Sequence, residues 1–387
     1  MTRVFLVAGE VSGDRLGGAL MAGLNALEPG VEFHGVGGPM MMGQGLESLF
    51  PMEELSVMGL AEVLPKYRHL LRRKAQTVRA VLDLDPDVLI TIDAPDFGLR
   101  VAREVRAANP AIRTVHYVAP SVWAWRPGRA ARMAPFIDQV LALLPFEPPY
   151  MEAEGMRCDF VGHPVVNEPV ASEAEARAFR CELGVDDGEL LLVLPGSRRG
   201  EVSRLGPRFG VALEQIAMAR PGLRAVLPMA APVAGLVREM VADWPVQPIL
   251  LDPTTQSDAK FTARKRAAFR AADAALAASG TVSLELAAAE TPMAIGYDFN
   301  WLTRQIVKRL VRVDSPTLVN LVTDTRTIPE CTAENCTPEC LSKAVISVLD
   351  APETQRQALR DTMTLLGKGG ENPGLRAARA VLDGLAP

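Results

Sequence analysis

Cysteine is scarce here, five in 387 residues. An odd, sparse set does not build a disulfide framework and fits a reducing cytoplasm. Cys331, Cys336 and Cys340 cluster. A fourth ligand is missing nearby and the spacing is not a usual zinc pattern, so an incidental loop is expected. The four histidines, His34, His69, His116 and His163, share no ligand spacing. Neither a metal nor a cofactor is expected. No run of about 18 apolar residues occurs, so no transmembrane span is expected. The opening MTRVFLVAGE enters a strand pattern directly, without a secretory signal's longer apolar region and cleavage site. GxGxxG and the P-loop lysine are both missing, which leaves a dehydrogenase the weakest enzyme reading. Charge of one sign is not in large excess. A net charge of −5 argues against a nucleic-acid binder. Short repeats and low-complexity tracts are absent too.

What is present suits two domains. A chain of 387 residues is too long for one ordinary core. Hydrophobic content of 48% with 22% charged residues is globular. Apolar strand candidates at Val4–Ala8, Glu32–Val36, Val88–Ile92, Arg113–Val118, Gln139–Ala142 and Cys158–Val161 alternate with helical patterns such as Arg15–Ala26. A second series follows at Leu190–Leu194, Arg224–Pro228, Gln247–Leu250, Ala274–Ala277 and Pro292–Ile295, with helices expected over Pro207–Met218, Val233–Val241 and Arg264–Ala271. Both series carry the βαβ signature of an α/β protein with parallel, doubly wound sheets. The join is expected near Gly162–Ser172. That gives two Rossmann-like domains, 1–165 and 166–350, with a cleft between them. A C-terminal helix, about 370–387, is expected to pack back on the first domain.

Each half opens on a strand feeding a Gly- and Ser-bearing turn: VFLVAGEVSGDRLGG from Val4 and LLLVLPGSRRGE from Leu190. Such turns gather free backbone N–H groups at a positive helix end, where anions bind. In the first, Ser12 and Asp14 could equally cap the helix. The second adds Ser197, Arg198 and Arg199 beside Gly196. An arginine fork suits a diphosphate, and Arg198 is nearer the turn; the alternative is two solvated arginines. SGTVSLE follows the strand Ala274–Ala277. Gly280 allows close backbone approach, Ser279 and Thr281 offer hydroxyls, and Glu285 lies one helical turn deeper. A carboxylate there can accept two hydrogen bonds from a ribose diol, or it is a solvated helical Glu. Together these segments look like a nucleoside-diphosphate pocket.

Asp93 sits at the carboxyl end of the strand Val88–Ile92, where cleft residues of open α/β sheets belong. A carboxylate there can take a proton from a hydroxyl nucleophile. It could instead cap the next helix, although Asp96 suits that job better. Asp83 and Asp85 come before the strand, at the wrong sheet edge for a cleft metal site.

Leu60–Leu82 is a local basic face hidden by the net charge. Lys66, Arg68, Arg72, Arg73, Lys74 and Arg79 interleave with Tyr67, Leu70, Leu71, Val78 and Val81. A basic amphipathic helix of this kind lies on an anionic membrane surface, or else packs with a solvated basic face. Phe299–Val313 offers a second such stretch. HYVAPSVWAW, His116–Trp125, puts tryptophans in a strand-end loop, where they can stack on a sugar or acyl chain or join the core.

LVAGEVSGD, MEELSVMGLAEVL, IDAPDF, HYVAPSVWAW, the triplet Gly162-His163-Pro164, LPGSR and ASGTVSLE occur in this order. Over residues 4 to 330 the chain resembles the lipid-A-disaccharide synthase family of inverting GT-B glycosyltransferases. The resemblance implies transfer from UDP-2,3-diacylglucosamine to 2,3-diacylglucosamine 1-phosphate (lipid X), yielding a β-1,6 disaccharide 1-phosphate and UDP. It assigns the donor to the C-terminal domain and the acylated acceptor to the N-terminal one. Asp93 matches the general base, Arg198 an essential arginine and Asn320 an asparagine of a Pro-Asn-Leu-Leu segment, which here reads Val319-Asn320-Leu321-Val322. Gly9, Glu10, Ser12, Gly13 and Asp14, with Ser121 and Trp123, then fall in the acceptor cleft. The resemblance also implies a cytoplasmic protein, peripheral on the inner face of the inner membrane, with Lys66, Tyr67, Leu70, Leu71, Arg72 and Arg73 facing the lipid. A homo-oligomer is left open. Two competing readings are a UDP-sugar 2-epimerase, which shares the two-domain fold, and a peripheral membrane adaptor that keeps a nucleotide site.

Overall fold

The computed structural model describes residues 1–55, 60–126, 128–298 and 314–385, with backbone alone for 60–66. The chain forms two units, Met1–Pro164 with Gly369–Pro387, and Val165–Lys368.

Among the described residues the first unit holds seven strands: β1 (Arg3–Ala8), β2 (Glu32–Val36), β3 (Glu47–Ser48), β4 (Val88–Ile92), β5 (Arg113–Tyr117), β6 (Gln139–Ala142) and β7 (Arg157–Phe160). They pair in parallel in the order β3-β2-β1-β4-β5-β6-β7. Strands with helices on both faces bury alternate residues in two cores. Val4, Leu6 and Ala8 of β1 enter one, with Leu20 and Leu24. Phe5 and Val7 enter the other, with Val101 and Val105. Each such aliphatic or aromatic side chain contributes roughly 1.5–3 kcal/mol over exposure.

Among the described residues the second unit holds six: β8 (Leu190–Leu194), β9 (Arg224–Pro228), β10 (Ile249–Leu251), β11 (Ala274–Ala278), β12 (Met293–Tyr297) and β13 (Glu330–Thr332). They too are parallel, in the order β10-β9-β8-β11-β12-β13. The expected α/β architecture with two parallel sheets is therefore present. The sequence pattern missed β3 and β13, edge strands of two and three residues, too short for periodicity to register.

Both orders reverse direction once. In the first unit this happens between β1 and β4, where Ala8 lies opposite Ile92. In the second it happens between β8 and β11, where Leu194 lies opposite Ala277. Ligands of open α/β sheets bind beyond such switch points.

The last helix, Pro373–Leu385, lies against the first, Val11–Leu27, in the core of the first unit. Glycines allow that approach. A Cβ on Gly23 would stand 2.6 Å from the Gly374 carbonyl oxygen, and one on Gly374 would stand 2.5 Å from that of Ala19.

Three local expectations need correction. The helix expected from Pro207 begins two turns earlier, at Arg199, and carries Pro207 inside it. Asp96 does not cap its helix. That helix begins at Pro95 with Ala94 at the N-cap position, and Asp96 sits in the first turn. Cys331 and Cys340 are not incidental. They form a disulfide that ties β13 to the start of the helix Pro338–Asp350, their Cα atoms 6.0 Å apart, while Cys336 stays reduced and buried. Among the described residues no group of three or more His, Cys, Asp or Glu could hold a metal, and no helix is long and apolar enough to cross a membrane.

Candidate functional site

At the first switch point the turn after β1 meets the end of β4. Ser12 Oγ donates to Asp93 Oδ2 at 2.9 Å. Asp93 and Ala94 both adopt left-handed backbone, φ +50° and +37°. Side chains disfavour that region, and such strain clusters at functional sites. The Asp93 N–H is held by the Tyr117 carbonyl at 2.9 Å, which fixes the turn. Glu10 and Ser12 are exposed beside it, and Asp93 is half-buried.

Asp14 has a different job. It is only 2% exposed. Its carboxylate accepts from the backbone N–H groups of Gly38 (2.8 Å), Met40 (2.9 Å) and Met41 (3.0 Å). It therefore anchors the short helix Pro39–Met42 rather than facing a ligand. Gly9 and Gly13 are packing residues: a Cβ there would stand 3.0 Å from the Ala94 Cβ and 3.3 Å from the Ile92 carbonyl oxygen.

The aromatic loop divides its two tryptophans between packing and solvent. Trp123 is half-buried, donates to Glu147 Oε1 at 3.2 Å and meets Phe146 edge-on. Burial pushes the Glu147 carboxyl up to about 7, against the backbone N–H of Leu144, the Trp123 indole N–H and the backbone N–H of Leu143. The tryptophan that reaches solvent is Trp125, 40% exposed. Ser121 is exposed, and its carbonyl caps the turn to Ala124 and Trp125.

At the second switch point a cavity of about 430 Å³ is lined by both predicted turns, Gly196–Arg198 with Glu201 and Ser279–Val282 with Glu285. Gly280 has φ +152°, and a Cβ there would meet nothing within 4 Å, so its backbone is open to the cavity. Arg198 is 77% exposed and 3.5 Å from Glu201. Glu201 Oε2 accepts from the N–H groups of Ser197 (3.3 Å) and Arg198 (3.4 Å), which are the donors expected to hold an anion. These are long bonds, easily exchanged for a stronger acceptor. Ser279 Oγ donates to the Pro316 carbonyl at 2.8 Å, so its hydrogen is turned into the protein. Thr281 is exposed.

The sequence reading missed the far wall, formed by Met229, Phe261, Lys265 and Phe269. Lys265 Nζ binds Glu285 Oε2 at 2.7 Å and lies 5.1 Å from the centre of the Phe269 ring. Glu285 is thus a paired carboxylate. Nothing local marks Lys265, one of several basic residues on its helix.

Asn320 does not line this cavity. It is fully buried, and its amide donates to the Ile328 carbonyl and Glu330 Oε1, each at 3.0 Å, while Oδ1 accepts from the Ile328 N–H at 3.0 Å. All of this amide is engaged in holding 328–330 to its own helix. In this structure Asn320 thus contacts its own neighbours and ties its helix to β13.

The basic stretch forms the helix Leu60–Leu84. Tyr67, Leu71 and Arg72 are exposed and Leu70 is half-buried; the Lys66 side chain lies outside the described residues, as does the stretch 299–313. Arg73 turns inward instead. It forks onto Glu54 (2.7 and 2.8 Å) and covers the Phe50 ring at 4.6 Å. The Arg73 hydrogen bonds, with help from His69, hold the Glu54 carboxyl down at about 2.

Two parallel α/β units, one with a nucleotide-sized cavity at its switch point, define the GT-B class of glycosyltransferases and related epimerases. Solved structures agree on that fold. The UDP-GlcNAc 2-epimerase of Neisseria meningitidis bound to UDP-GlcNAc has a TM-score of 0.63 at 12% identity, over 100% of this chain and 99% of that one. The kitacinnamycin glycotransferase has 0.61 at 16%, with the same coverage. Within that class, the family model for lipid-A-disaccharide synthetase matches residues 4–378. The lipid-A-disaccharide synthase of Ruegeria pomeroyi is 62% identical, over 100% of this chain and 96% of that relative. That of Rhodospirillum centenum is 49% identical, over 98% and 94%. The chain belongs to the lipid-A-disaccharide synthase family, and it is a glycosyltransferase of lipid A biosynthesis.

Proposed function

We propose that the chain transfers the diacylglucosamine of UDP-2,3-diacylglucosamine to the 6-hydroxyl of lipid X, with inversion. The observation that carries this is the cavity in the second unit, which gathers Gly196–Arg198, Glu201, Ser279–Val282 and Glu285 around one nucleotide-sized space. The diphosphate lies against the Gly196–Arg198 and Gly280–Thr281 backbones, with Arg198 free to swing onto it. It displaces Glu201 from the turn. Glu285, oriented by Lys265, receives the ribose diol.

In the first unit Asp93 is the general base. Its carboxylate takes the acceptor hydroxyl proton as that oxygen bonds to the anomeric carbon. The bond from that carbon to the diphosphate oxygen breaks, and UDP leaves with the electron pair. One in-line displacement inverts the anomeric centre, by the stereochemical logic of single-displacement glycoside hydrolysis. Arg198 and the N-terminus of the helix Arg199–Ala219 stabilise the leaving charge. Ser12 keeps the Asp93 carboxylate aimed. Glu10 and Ser121 border the acceptor. Exposed Tyr67, Leu71 and Arg72 support a peripheral seat on the inner face of the inner membrane.

The test is UDP release from UDP-diacylglucosamine with and without lipid X. Release that requires lipid X supports transfer. Conversion of a UDP-sugar with no acceptor would instead favour an epimerase.

A further inference from the structure

Two helices of the first unit, Pro95–Ala108 and Gly128–Met133, enclose a second concavity, of about 260 Å³. Five arginines line it: Arg100 and Arg103 from one side, Arg126, Arg129 and Arg132 from the other. Spacings of three residues place Arg100 with Arg103, and Arg129 with Arg132, on one face of their helices, while Arg126 precedes the second helix. Among the described residues a single carboxylate pairs with them. Asp96 is 3.9 Å from Arg129, but its side chain is 96% exposed, and such a pair is weak. Among the described residues the other four make no ion pair with a carboxylate. Arg129 is half-buried and the other four are exposed, so water screens their repulsion, and an anion that bridged them would relieve what is left.

The walls are built rather than loose. Arg126 sits in left-handed backbone, φ +53°, and its guanidinium lies 4.2 Å from the centre of the Trp125 ring. The Arg129 N–H binds the Arg126 carbonyl at 2.9 Å, and Arg132 Nε binds the Gly128 carbonyl at 3.1 Å. Leu99 and Phe136 supply apolar surface between them. Guanidinium forks match the oxygens of phosphate. The concavity also touches Pro95, two residues beyond Asp93.

We propose that this arginine concavity binds the phosphate monoester of the acceptor sugar. The inference rests on the acceptor reading of Asp93 above. The hydroxyl to be activated and the phosphate are opposite ends of one sugar, so one site would hold each.

The experiment compares kcat/KM for lipid X with that for the same diacylglucosamine lacking its phosphate, in the full-length protein and in an Arg100→Gln/Arg103→Gln variant. Expected is a strong preference for the phosphorylated acceptor that falls by about tenfold or more in the variant, with the UDP-sugar KM unmoved. Arg100→Lys/Arg103→Lys, which keeps the charge, should restore part of it. Equal loss on both acceptors, or an unchanged preference, overturns the proposal. A lipid headgroup is the other source of phosphate. Loss of sedimentation with phosphatidylglycerol vesicles at unchanged acceptor preference assigns the arginines to the membrane surface and also overturns it. If neither acceptor supports turnover, the transfer reading has failed, and calorimetry with glucosamine 1-phosphate against glucosamine tests the arginines alone. Phosphate-dependent binding lost in the variant sustains the site; its absence in the unmodified protein overturns it.

Discussion

The two units put the same device, a parallel strand feeding a helix, at the same topological position, and they use it differently. After β1 the turn folds inward. Asp14 is buried under three backbone donors, and Ser12 reaches across to Asp93. After β8 the turn stays open. Its donors hold only the exchangeable Glu201 carboxylate, and Arg198 stands in solvent. A switch point supplies a place for chemistry, and the turn residues decide whether that place binds an anion or aims a carboxylate.

The comparison can be broken first at Asp93. Asp93→Asn should lower turnover about 10²- to 10⁴-fold, while UDP titration gives an unchanged Kd. Loss of UDP binding in that variant would put the donor at the first turn. Next comes stability. Asp14→Ala leaves three N–H groups without their acceptor, and denaturant unfolding should show a loss of about 3 kcal/mol or more. Glu201→Ala should cost under about 1 kcal/mol, since its bonds are long and near the surface. Equal costs would mean that the two turns are built alike.

Arg198→Ala is the reciprocal of Asp93→Asn. UDP affinity by calorimetry should fall about 10- to 100-fold, with the Ser12–Asp93 pairing untouched. The smallest effect is a pH dependence confined to the first unit. Glu147 titrates at about 7 in the fold, from an ordinary 4.5. Its folded pKa is raised, so its stabilising effect is complete below 4.5 and is lost as pH rises through 7. Glu147→Gln should flatten that part of the melting-temperature profile. A profile identical to that of the unmodified protein would show that the carboxyl is not held in its neutral form.

Much of this was legible in the sequence. Leu190–Leu194 and Val88–Ile92 announce buried parallel strands, and the residues that follow them mark both switch points. The cavity residues Gly196, Ser197, Arg198, Gly280, Thr281 and Glu285 were all visible as local motifs. What was not legible depends on partners far away in the chain. Asp14 is a helix residue until Gly38–Met41 arrives beneath it. Glu285 is a free carboxylate until Lys265 folds over it. Trp123 and Trp125 look alike until Glu147 takes one of them. Arg100 and Arg126 stand apart in sequence, so their convergence is visible only in the fold. Asn320 is a motif residue by sequence, and only the fold shows its amide bound to Ile328 and Glu330.

The central claim is that the donor nucleotide belongs to the second turn and not to the first. Amide hydrogen exchange with and without UDP tests it most directly. The account predicts slowed exchange across Gly196–Arg199 and Ser279–Val282, with Gly9–Asp14 unchanged. Protection at Gly9–Asp14, with none at Gly196–Arg199, would contradict it.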